Sequence, residues 1–340
     1  MTVILLSLLR LSLFGVSIGE DVLCKLRSFS EEEWNALLEE ARRQTVSGLL
    51  YKALELMPEG ISMPEDVAFD LVDVVNQGVK RNIRMMETEK EILGFFRNAG
   101  FHPVVMKGST CAALYPFPEL RNSGDIDLYF TEAEYDEAVK AAGNAGMDYS
   151  KRPDSSMVLI LHDVIIELHR KYYDLHYSDL ELPDISSPEA RILMLSSHIL
   201  KHACSSGVGL RQICDFALAY NSYNGDKAAL DTMFSHLGLS RWHHLLLSFI
   251  NCYLSLPIVT SGNTNNPLPM LRIIESGGNF GHYARNREKH LGKTSLFRKA
   301  DTVRRITGHI PFSLRYAPRE TFYYLSELIK GNLSRRRYTR

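Results

Sequence analysis

Two carboxylates and a glycine-serine turn lie close together in one stretch of the sequence. The stretch Lys107–Phe130 reads KGSTCAALYPFPELRNSGDIDLYF, with a Gly-Ser pair ahead of Asp125 and Asp127. Side chains alternate between the two faces of a strand, so Asp125 and Asp127 are expected on one face. Paired carboxylates repel each other, and a divalent cation between them makes the arrangement favourable. The pattern predicts metal-dependent phosphoryl or nucleotidyl transfer.

A third carboxylate, Glu167, lies in the apolar run VIIELH. If this run forms a strand beside Asp125–Phe130, three carboxylates converge on one side of a sheet. They could then hold two Mg²⁺ or Mn²⁺ ions roughly 3.5–4 Å apart. His169 is expected on the same face, where it could orient a substrate or a metal-bound water. A hydrogen-bonded, half-buried histidine explains it equally well.

The turn at Lys107, Gly108 and Ser109 is the candidate phosphate site. A glycine lets a phosphate approach the backbone, and N–H groups at the start of a following helix favour an anion. Arg121, in the loop before the carboxylates, could contact a phosphate or a base, although a solvated loop arginine is the simpler alternative. Arg211 either pairs with Asp215 one helical turn later or binds the nucleotide or the acceptor.

His198 and His202 have the i, i+4 spacing of metal ligands on a predicted helix. Ile199 follows the first histidine where a metalloprotease would have glutamate, and Lys201 disfavours a bound cation. We therefore expect these histidines to pack in a core or line a helical wall.

The elements around these residues follow from capping residues and periodicity. A capping box at Ser30 and Glu33 and a long helix from Pro64 to Asn98 predict a helical first third. A short strand at Pro103–Met106, a strand at Asp125–Phe130 and a hairpin of Met157–Leu161 and Val164–His169 predict a small sheet. Ser109 is expected to cap a brief helix, and Thr131 and Glu134 are expected to form a capping box. Helices are expected to resume at Pro188, and Ser240 is expected to cap a later helix.

Composition sets the broad class. The chain has 340 residues, 45% of them hydrophobic and 23% charged, with a net charge of −1, as expected for a globular protein with an ample core. Its five scattered cysteines form no CxxC pair and favour a reducing, cytoplasmic setting. The leucine-rich segment Thr2–Ile18 is interrupted by Arg10 and is too short to span a membrane, so a packed helix is expected, with a signal peptide as the alternative.

Basic residues concentrate near the C-terminus. Between Arg285 and Arg340 the sequence has fifteen Lys or Arg residues against four Asp or Glu residues. Such a segment could face nucleotide phosphates or RNA, and a solvated helical face with a loose tail is the alternative.

The Gly-Ser pair, the DIDL run and the later strand carboxylate resemble the DNA polymerase β-type nucleotidyltransferase superfamily. The fuller pattern K-G-x(6)-Y-P-x(4)-R-x(3)-D-I-D-L, with ELH downstream, more closely resembles a poorly characterised bacterial nucleotidyltransferase family. The shared motifs cover about residues 101–170, and the RQICD run at Arg211–Asp215 is also similar. The third carboxylate is Glu where the superfamily often has Asp, and Lys107 is typical of the narrower family.

This resemblance implies roles for matching residues. Those matching Asp125, Asp127 and Glu167 bind metal, and those matching Gly108 and Ser109 hold the triphosphate.

These observations predict an α+β fold in which a small mixed sheet, the nucleotidyltransferase core at 101–185, lies between helical regions at 1–100 and 186–340. The expected reaction moves an NMP from an NTP to an acceptor with release of pyrophosphate. The acceptor, whether a small molecule, a protein or an RNA, is not readable from the sequence, nor is the oligomeric state, and no membrane partner is expected. The alternative is a catalytically weak nucleotide sensor or partner-binding module on the same fold.

Overall fold

The structure is a computed structural model, and it describes residues 1–151, 156–175, 181–204, 207–257, 266–278, 310–323 and 326. The chain divides into two compact units, Met1–Tyr172 and Tyr173–Arg340. The first unit combines helices with a five-stranded sheet, and the described part of the second is helical. The fold is therefore α+β with a small mixed sheet, as predicted. The division into three regions stays a prediction.

The first unit begins with helices that pack on one another. Their bounds are α1 (Thr2–Phe14), α2 (Glu20–Arg27), α3 (Glu31–Arg43), α4 (Ser47–Glu55) and α5 (Glu65–Asn98). Helix α1 buries leucines that include Leu5, Leu6, Leu8 and Leu9, and it contacts α3 and α4. The leucine-rich start is thus a packed helix, as expected. Among the helices that the structure describes, none combines the length and the apolar character needed to cross a membrane.

The rest of the first unit builds the sheet. Its elements are β1 (Val104–Val105), α6 (Ser109–Ala112), a 3₁₀ turn (Pro118–Leu120), β2 (Ile126–Tyr129), α7 (Glu132–Asn144), β3 (Tyr149–Lys151), β4 (Met157–Leu161) and β5 (Val164–His169). The spatial order is β1-β2-β5-β4-β3. Strands β2 and β5 pair in parallel, and the other neighbours pair antiparallel.

The hairpin between β4 and β5 has the expected tight turn. Leu161 pairs with Val164, and the two residues between them, His162 and Asp163, both have positive φ, 51° and 60°. Two consecutive residues with positive φ suit the right-handed twist of a two-residue hairpin, and Asp and His tolerate this conformation better than most residues.

One face of the sheet carries the core of this region. Ile126, Leu128, Ile166 and Leu168 are each at most 1% exposed and pack with Ile92 and Phe96 of α5 and with α7. Because side chains alternate along a strand, this burial fixes which residues of β2 and β5 face the other way. Those residues include Asp127, Glu167 and His169.

The second unit contains α8 (Pro188–Ala203), α9 (Leu210–Asn221), α10 (Lys227–His236), α11 (Ser240–Leu254) and α12 (Leu268–Gly277), and residues 310–316 and 318–323 are also helical. Ser187 caps α8 by accepting the Ala190 N–H, and Asp226 caps α10 by accepting the Ala228 N–H. Pro188 follows its cap at the first helical position, as predicted. Most of the basic segment Arg285–Arg340 lies outside the described residues.

Three expected caps are not formed as predicted. Ser109 and Ser240 are the first residues of α6 and α11, where Gly108 and Leu239 occupy the N-cap positions. The Ser109 hydroxyl is committed elsewhere, because it donates to Glu89. The Thr131 hydroxyl donates to the Glu134 carboxylate at 2.6 Å rather than accepting a backbone N–H. The box at Ser30 and Glu33 does form.

Candidate functional site

The central feature is a pair of carboxylates on neighbouring strands. Strands β2 and β5 pair so that Asp127 is directly opposite Glu167, and Tyr129 is opposite His169. Asp127 is 2% exposed and Glu167 is 6% exposed. The strand pairing that the sequence analysis required for convergence is therefore present, and it places two buried carboxylates side by side on the face opposite the apolar core.

A lysine and a histidine side chain contact Asp127. The Lys107 Nζ lies 3.2 Å from Oδ2 of Asp127, and the His169 Nε2 lies 2.8 Å from Oδ1. The same nitrogen of His169 is 3.7 Å from Oε2 of Glu167. A buried carboxylate without such partners costs several kcal/mol, and the ammonium group of Lys107 together with the contact to His169 offsets that cost. Lys107 therefore belongs to the carboxylate cluster as well as to the turn before Gly108.

The donor set fits a divalent cation. Among the residues that the structure describes, Asp127, Glu167 and His169 form the one group of three metal-ligating side chains whose ligand atoms lie within 4.8 Å of one another. Carboxylate oxygens suit Mg²⁺, and an added imidazole nitrogen is also compatible with Mn²⁺. Because Lys107 and His169 contact the two oxygens of Asp127, a cation bound there would take over part of their role.

Asp125 is placed differently from Asp127. It immediately precedes β2, is half-buried, and is not part of the described group of three metal-ligating side chains. The structure thus brings together two of the three predicted carboxylates with His169. Metal binding by Asp125 stays a prediction.

The turn before α6 is the predicted phosphate site. Gly108 has φ +69°, a conformation that L-residues rarely adopt, and a Cβ there would meet the Asp125 backbone oxygen only at 3.7 Å. Its backbone conformation, more than lack of space, therefore calls for glycine. Phosphate binding by Gly108 and Ser109 stays a prediction.

The Ser109 hydroxyl has a partner that the sequence analysis missed. It donates to Oε1 of Glu89, on α5, at 2.6 Å. Burial raises the pKa of the Glu89 carboxyl above its ordinary value, although the hydrogen bond from Ser109 lowers it. A carboxylate therefore occupies the space next to the predicted phosphate-binding hydroxyl, and an incoming triphosphate would meet its charge.

Helix α5 also holds the loop that precedes Asp125. The buried Asn82 donates from Nδ2 to the backbone oxygens of Glu119, at 2.8 Å, and Arg121, at 2.9 Å. Its Oδ1 accepts the N–H of Ser123 at 3.1 Å. Arg81 donates to the backbone oxygen of Gly124 at 2.9 Å. These contacts fix the backbone on the way into β2, and therefore the start of the strand that carries Asp127.

Arg121 is not a solvated loop residue. Its side chain is 5% exposed, donates from Nη1 to the Ser123 hydroxyl at 3.2 Å, and has its Cζ 5.9 Å from the centroid of the Tyr115 ring. The simpler alternative of the sequence analysis is therefore wrong, because this side chain is buried. A contact between Arg121 and a nucleotide stays a prediction.

The remaining candidates belong to the second unit. Arg211 and Asp215 are both buried in α9. Nucleotide or acceptor binding by Arg211 stays a prediction.

The two histidines of α8 lie beside Asp174. His198 binds one oxygen of Asp174 through Nδ1 at 2.9 Å, and Lys201 binds the other oxygen at 2.8 Å. The rings of His198 and His202 are 4.5 Å apart. This is a hydrogen-bonded, half-buried ion cluster.

The contacts of Asp174 with His198 and Lys201 change the pKa of its carboxyl group. Burial by itself would raise the pKa of its carboxyl, but hydrogen bonds and charges from His198 and Lys201 hold it well below the usual range. Asp174 is therefore ionised at neutral pH and anchors the N-terminal end of the second unit to α8.

Glu89 and Asn82 are the site residues that sequence reasoning missed. Asn82 has a readable signal, because it occupies a position on α5 in line with the buried residues Val75 and Met85. A polar side chain on an apolar face requires buried partners. Glu89 has no comparable signal, since its partner Ser109 lies 20 residues further along the chain.

The comparisons with known proteins agree with this arrangement. The sequence model of a family described as "uncharacterised nucleotidyltransferase" matches residues 30–255, which include both β2 and β5 and the turn at Gly108. No curated protein and no solved structure matches the chain. Since the match covers more than half of the chain, this protein belongs to the uncharacterised nucleotidyltransferase family.

Proposed function

We propose that this nucleotidyltransferase moves an NMP from an NTP to a hydroxyl or phosphate acceptor and releases pyrophosphate. An acceptor oxygen forms a bond to the α-phosphorus, the bond between that phosphorus and the bridging oxygen breaks, and pyrophosphate leaves with the bonding electron pair. The acceptor proton passes to a carboxylate or to solvent. The observation that carries the proposal is the buried pair Asp127 and Glu167, in register on parallel strands, beside the turn at Gly108.

The carboxylates would hold the divalent cation. We assign Asp127 and Glu167, with Asp125 at the start of β2, to Mg²⁺ or Mn²⁺. A bound cation of this kind supplies electrostatic stabilisation of the charge that develops on the transferred phosphoryl group. Lys107 and His169 would hold Asp127 in place before the cation binds, since each lies within 3.2 Å of it.

The turn at Lys107, Gly108 and Ser109 would bind the triphosphate. Gly108 and Ser109 would contact the phosphates, and Lys107 would be available to them once a cation replaces it at Asp127. Arg121 and Arg211 are the further candidates for contacts with the nucleotide. The acceptor is a small molecule, a protein or an RNA.

The free thiols at all five cysteine positions support a cytoplasmic location.

A specific observation favours a second candidate, a nucleotide-binding module with weak catalysis. Both oxygens of Asp127 and the hydroxyl of Ser109 already have partners within the protein. A site neutralised in this way could bind an NTP without turning it over. Tight NTP binding without pyrophosphate release would support this alternative.

The test compares thermal unfolding and turnover. The wild-type chain should gain melting temperature with at least one NTP in the presence of Mg²⁺, and less without Mg²⁺, because a ligand that binds the folded state stabilises it. The Asp125→Ala, Asp127→Ala double variant should lose both this gain and pyrophosphate release. Asp148→Ala removes an exposed carboxylate and serves as the control. Normal binding and turnover in the double variant would refute the proposal.

A further inference from the structure

Helix α5 carries a mainly apolar stripe that its own unit leaves largely exposed, with Val79 half-buried. The α5 stripe consists of residues spaced alternately by three and four positions: Phe69, Val72, Asn76, Val79, Ile83 and Met86. Phe69 is 71% exposed, Met86 66%, Ile83 52% and Val72 42%. The stripe spans about 26 Å at the 1.5 Å rise of an α-helix. Large apolar side chains exposed along one face of a helix in this way point to an interaction site.

The stripe is separate from the face of α5 that packs inside the first unit. That inner face consists of Val67, Leu71, Val75, Asn82, Met85, Thr88, Ile92 and Phe96. The outer stripe therefore does not contribute to the core of this unit. A surface helix normally presents polar residues away from its core, so the stripe calls for a separate explanation.

The spacing indicates what kind of partner fits. A three-four repeat places these residues at successive a and d positions of a heptad, the seam along which two helices pack. Asn76 occupies one a position in the middle of the seam. A single polar residue there specifies register and oligomeric state at a cost in stability. The seam is short, so the association it supports is reversible.

We propose that the α5 stripe is a homodimer interface, in which α5 of a second copy packs antiparallel across a two-fold axis near Gln77 and Gly78. Antiparallel helices place a positions against d positions. Phe69 then meets the second copy's Met86, and Val72 meets the second copy's Ile83. Asn76 meets the second copy's Val79. The two-fold axis generates each layer twice, so one stripe supplies both halves of the interface.

The charges beside the stripe favour this self-pairing. Asp73 and Lys80 are exposed at successive e positions, and in antiparallel alignment e positions flank one another. Each Asp73 then lies near the second copy's Lys80, giving two complementary pairs at the centre. The like-charged pair of Asp66 with the second copy's Glu87 lies beyond the last apolar layer, where solvent and salt screen it. A stripe whose apolar layers and central charges complement themselves under two-fold symmetry fits a second copy.

The oligomeric state of the 340-residue chain tests the interface. Light scattering after size exclusion should give a dimer that dissociates on dilution. Val72→Glu with Ile83→Glu should give a monomer with unchanged circular dichroism, since both positions are exposed. Val3→Glu, at a 49% exposed position on α1, should leave the dimer intact. A monomeric wild-type chain at all concentrations, or a dimer unaffected by the double substitution, would overturn the proposal.

Charge reversal tests the antiparallel alignment. Asp73→Lys and Lys80→Asp should each weaken the dimer by about 3-fold or more, because each places like charges together at two central sites. The two reversals combined should restore the dissociation constant. Asn76→Leu should tighten the dimer, because it replaces the polar residue in the seam. A dimer insensitive to both single reversals would overturn the proposed alignment.

Discussion

Asp127 of strand β2 lies directly opposite Glu167 of the parallel strand β5, with both side chains nearly buried. Two carboxylates at adjacent positions repel each other strongly in a low-dielectric setting. The fold tolerates the pair because the ammonium group of Lys107 lies against Asp127 and the His169 ring contacts both carboxylates. We therefore expect this point of the sheet to have a preference for a bound cation.

Removal of Lys107 should expose that preference. In Lys107→Gln the buried carboxylates lose one cationic partner, and the free energy of unfolding should fall by about 3 kcal/mol without divalent ions. Added Mg²⁺ should then raise the melting temperature more in the variant than in the wild type, because in the variant Mg²⁺ does not compete with the Lys107 ammonium group for Asp127. Differential scanning fluorimetry with and without Mg²⁺ measures both effects.

Lys140→Gln is the matched control. It also breaks an ion pair with a carboxylate, but Lys140 and Glu137 are both exposed, so its free energy of unfolding should stay close to that of the wild type. An equal Mg²⁺ response in Lys107→Gln and the wild type would show that Lys107 and the cation do not share a site.

The raised pKa of Glu89 predicts a pH-dependent loss of stability. As pH rises above the ordinary carboxyl pKa of 4.5, Glu89 ionises first in the unfolded chain, because burial holds its folded-state pKa higher. The folded state is then penalised relative to the unfolded state, and the penalty is complete above the folded-state pKa. Glu89→Gln keeps an acceptor for the Ser109 hydroxyl but cannot ionise. Its melting temperature relative to wild type should therefore increase with pH.

Glu87→Gln separates this effect from a general one. Glu87 lies on the same helix, two residues before Glu89, and its side chain is exposed. Melting temperatures measured from acidic to neutral pH should change in parallel for Glu87→Gln and wild type. A parallel course for Glu89→Gln as well would contradict the assignment of the titration to Glu89.

The contacts of Asn82 predict a large local cost of truncation. Asn82→Ala removes the partners of two backbone oxygens and one N–H in the loop before Asp125. Buried polar groups left without partners should lower the free energy of unfolding by about 3 kcal/mol. Urea denaturation measures it. Gln77→Ala removes an exposed hydrogen bond to Asp73 on the same helix and should cost less than about 0.5 kcal/mol. Equal costs would show that Asn82 does not fix the loop.

Much of the fold follows from local signals in the sequence. The bounds of α5 follow from Pro64 and Gly100, and the β4–β5 hairpin follows from apolar alternation on either side of His162 and Asp163. The same alternation places Glu167 and His169 on one face of β5. These features depend on residues close together in the chain, where period and turn chemistry are informative.

The rest depends on contacts between distant residues. The pairing places Asp127 opposite Glu167, which lies 40 residues further along the chain. The sequence could predict that the two strands can pair, but it could not predict that they do. Ser109 fits an N-cap on local grounds, but the hydrogen bond to Glu89 determines where its hydroxyl points. Arg121 reads as a solvated loop residue, yet α5 holds the loop backbone so that its side chain is buried. Tertiary contacts outweigh local preference at each of these positions.

The most direct test follows the label from an NTP. The wild-type protein is incubated with Mg²⁺, an acceptor source of small-molecule, protein and RNA fractions, and each NTP labelled at the α- or the γ-phosphate. The account predicts acceptor labelled from the α-phosphate, γ-label recovered in pyrophosphate, and at least ~100-fold slower transfer by Asp127→Asn. Asp163→Asn, in the exposed hairpin turn, should behave as wild type. Label transferred from the γ-phosphate, no transfer, or equal transfer by Asp127→Asn would contradict it.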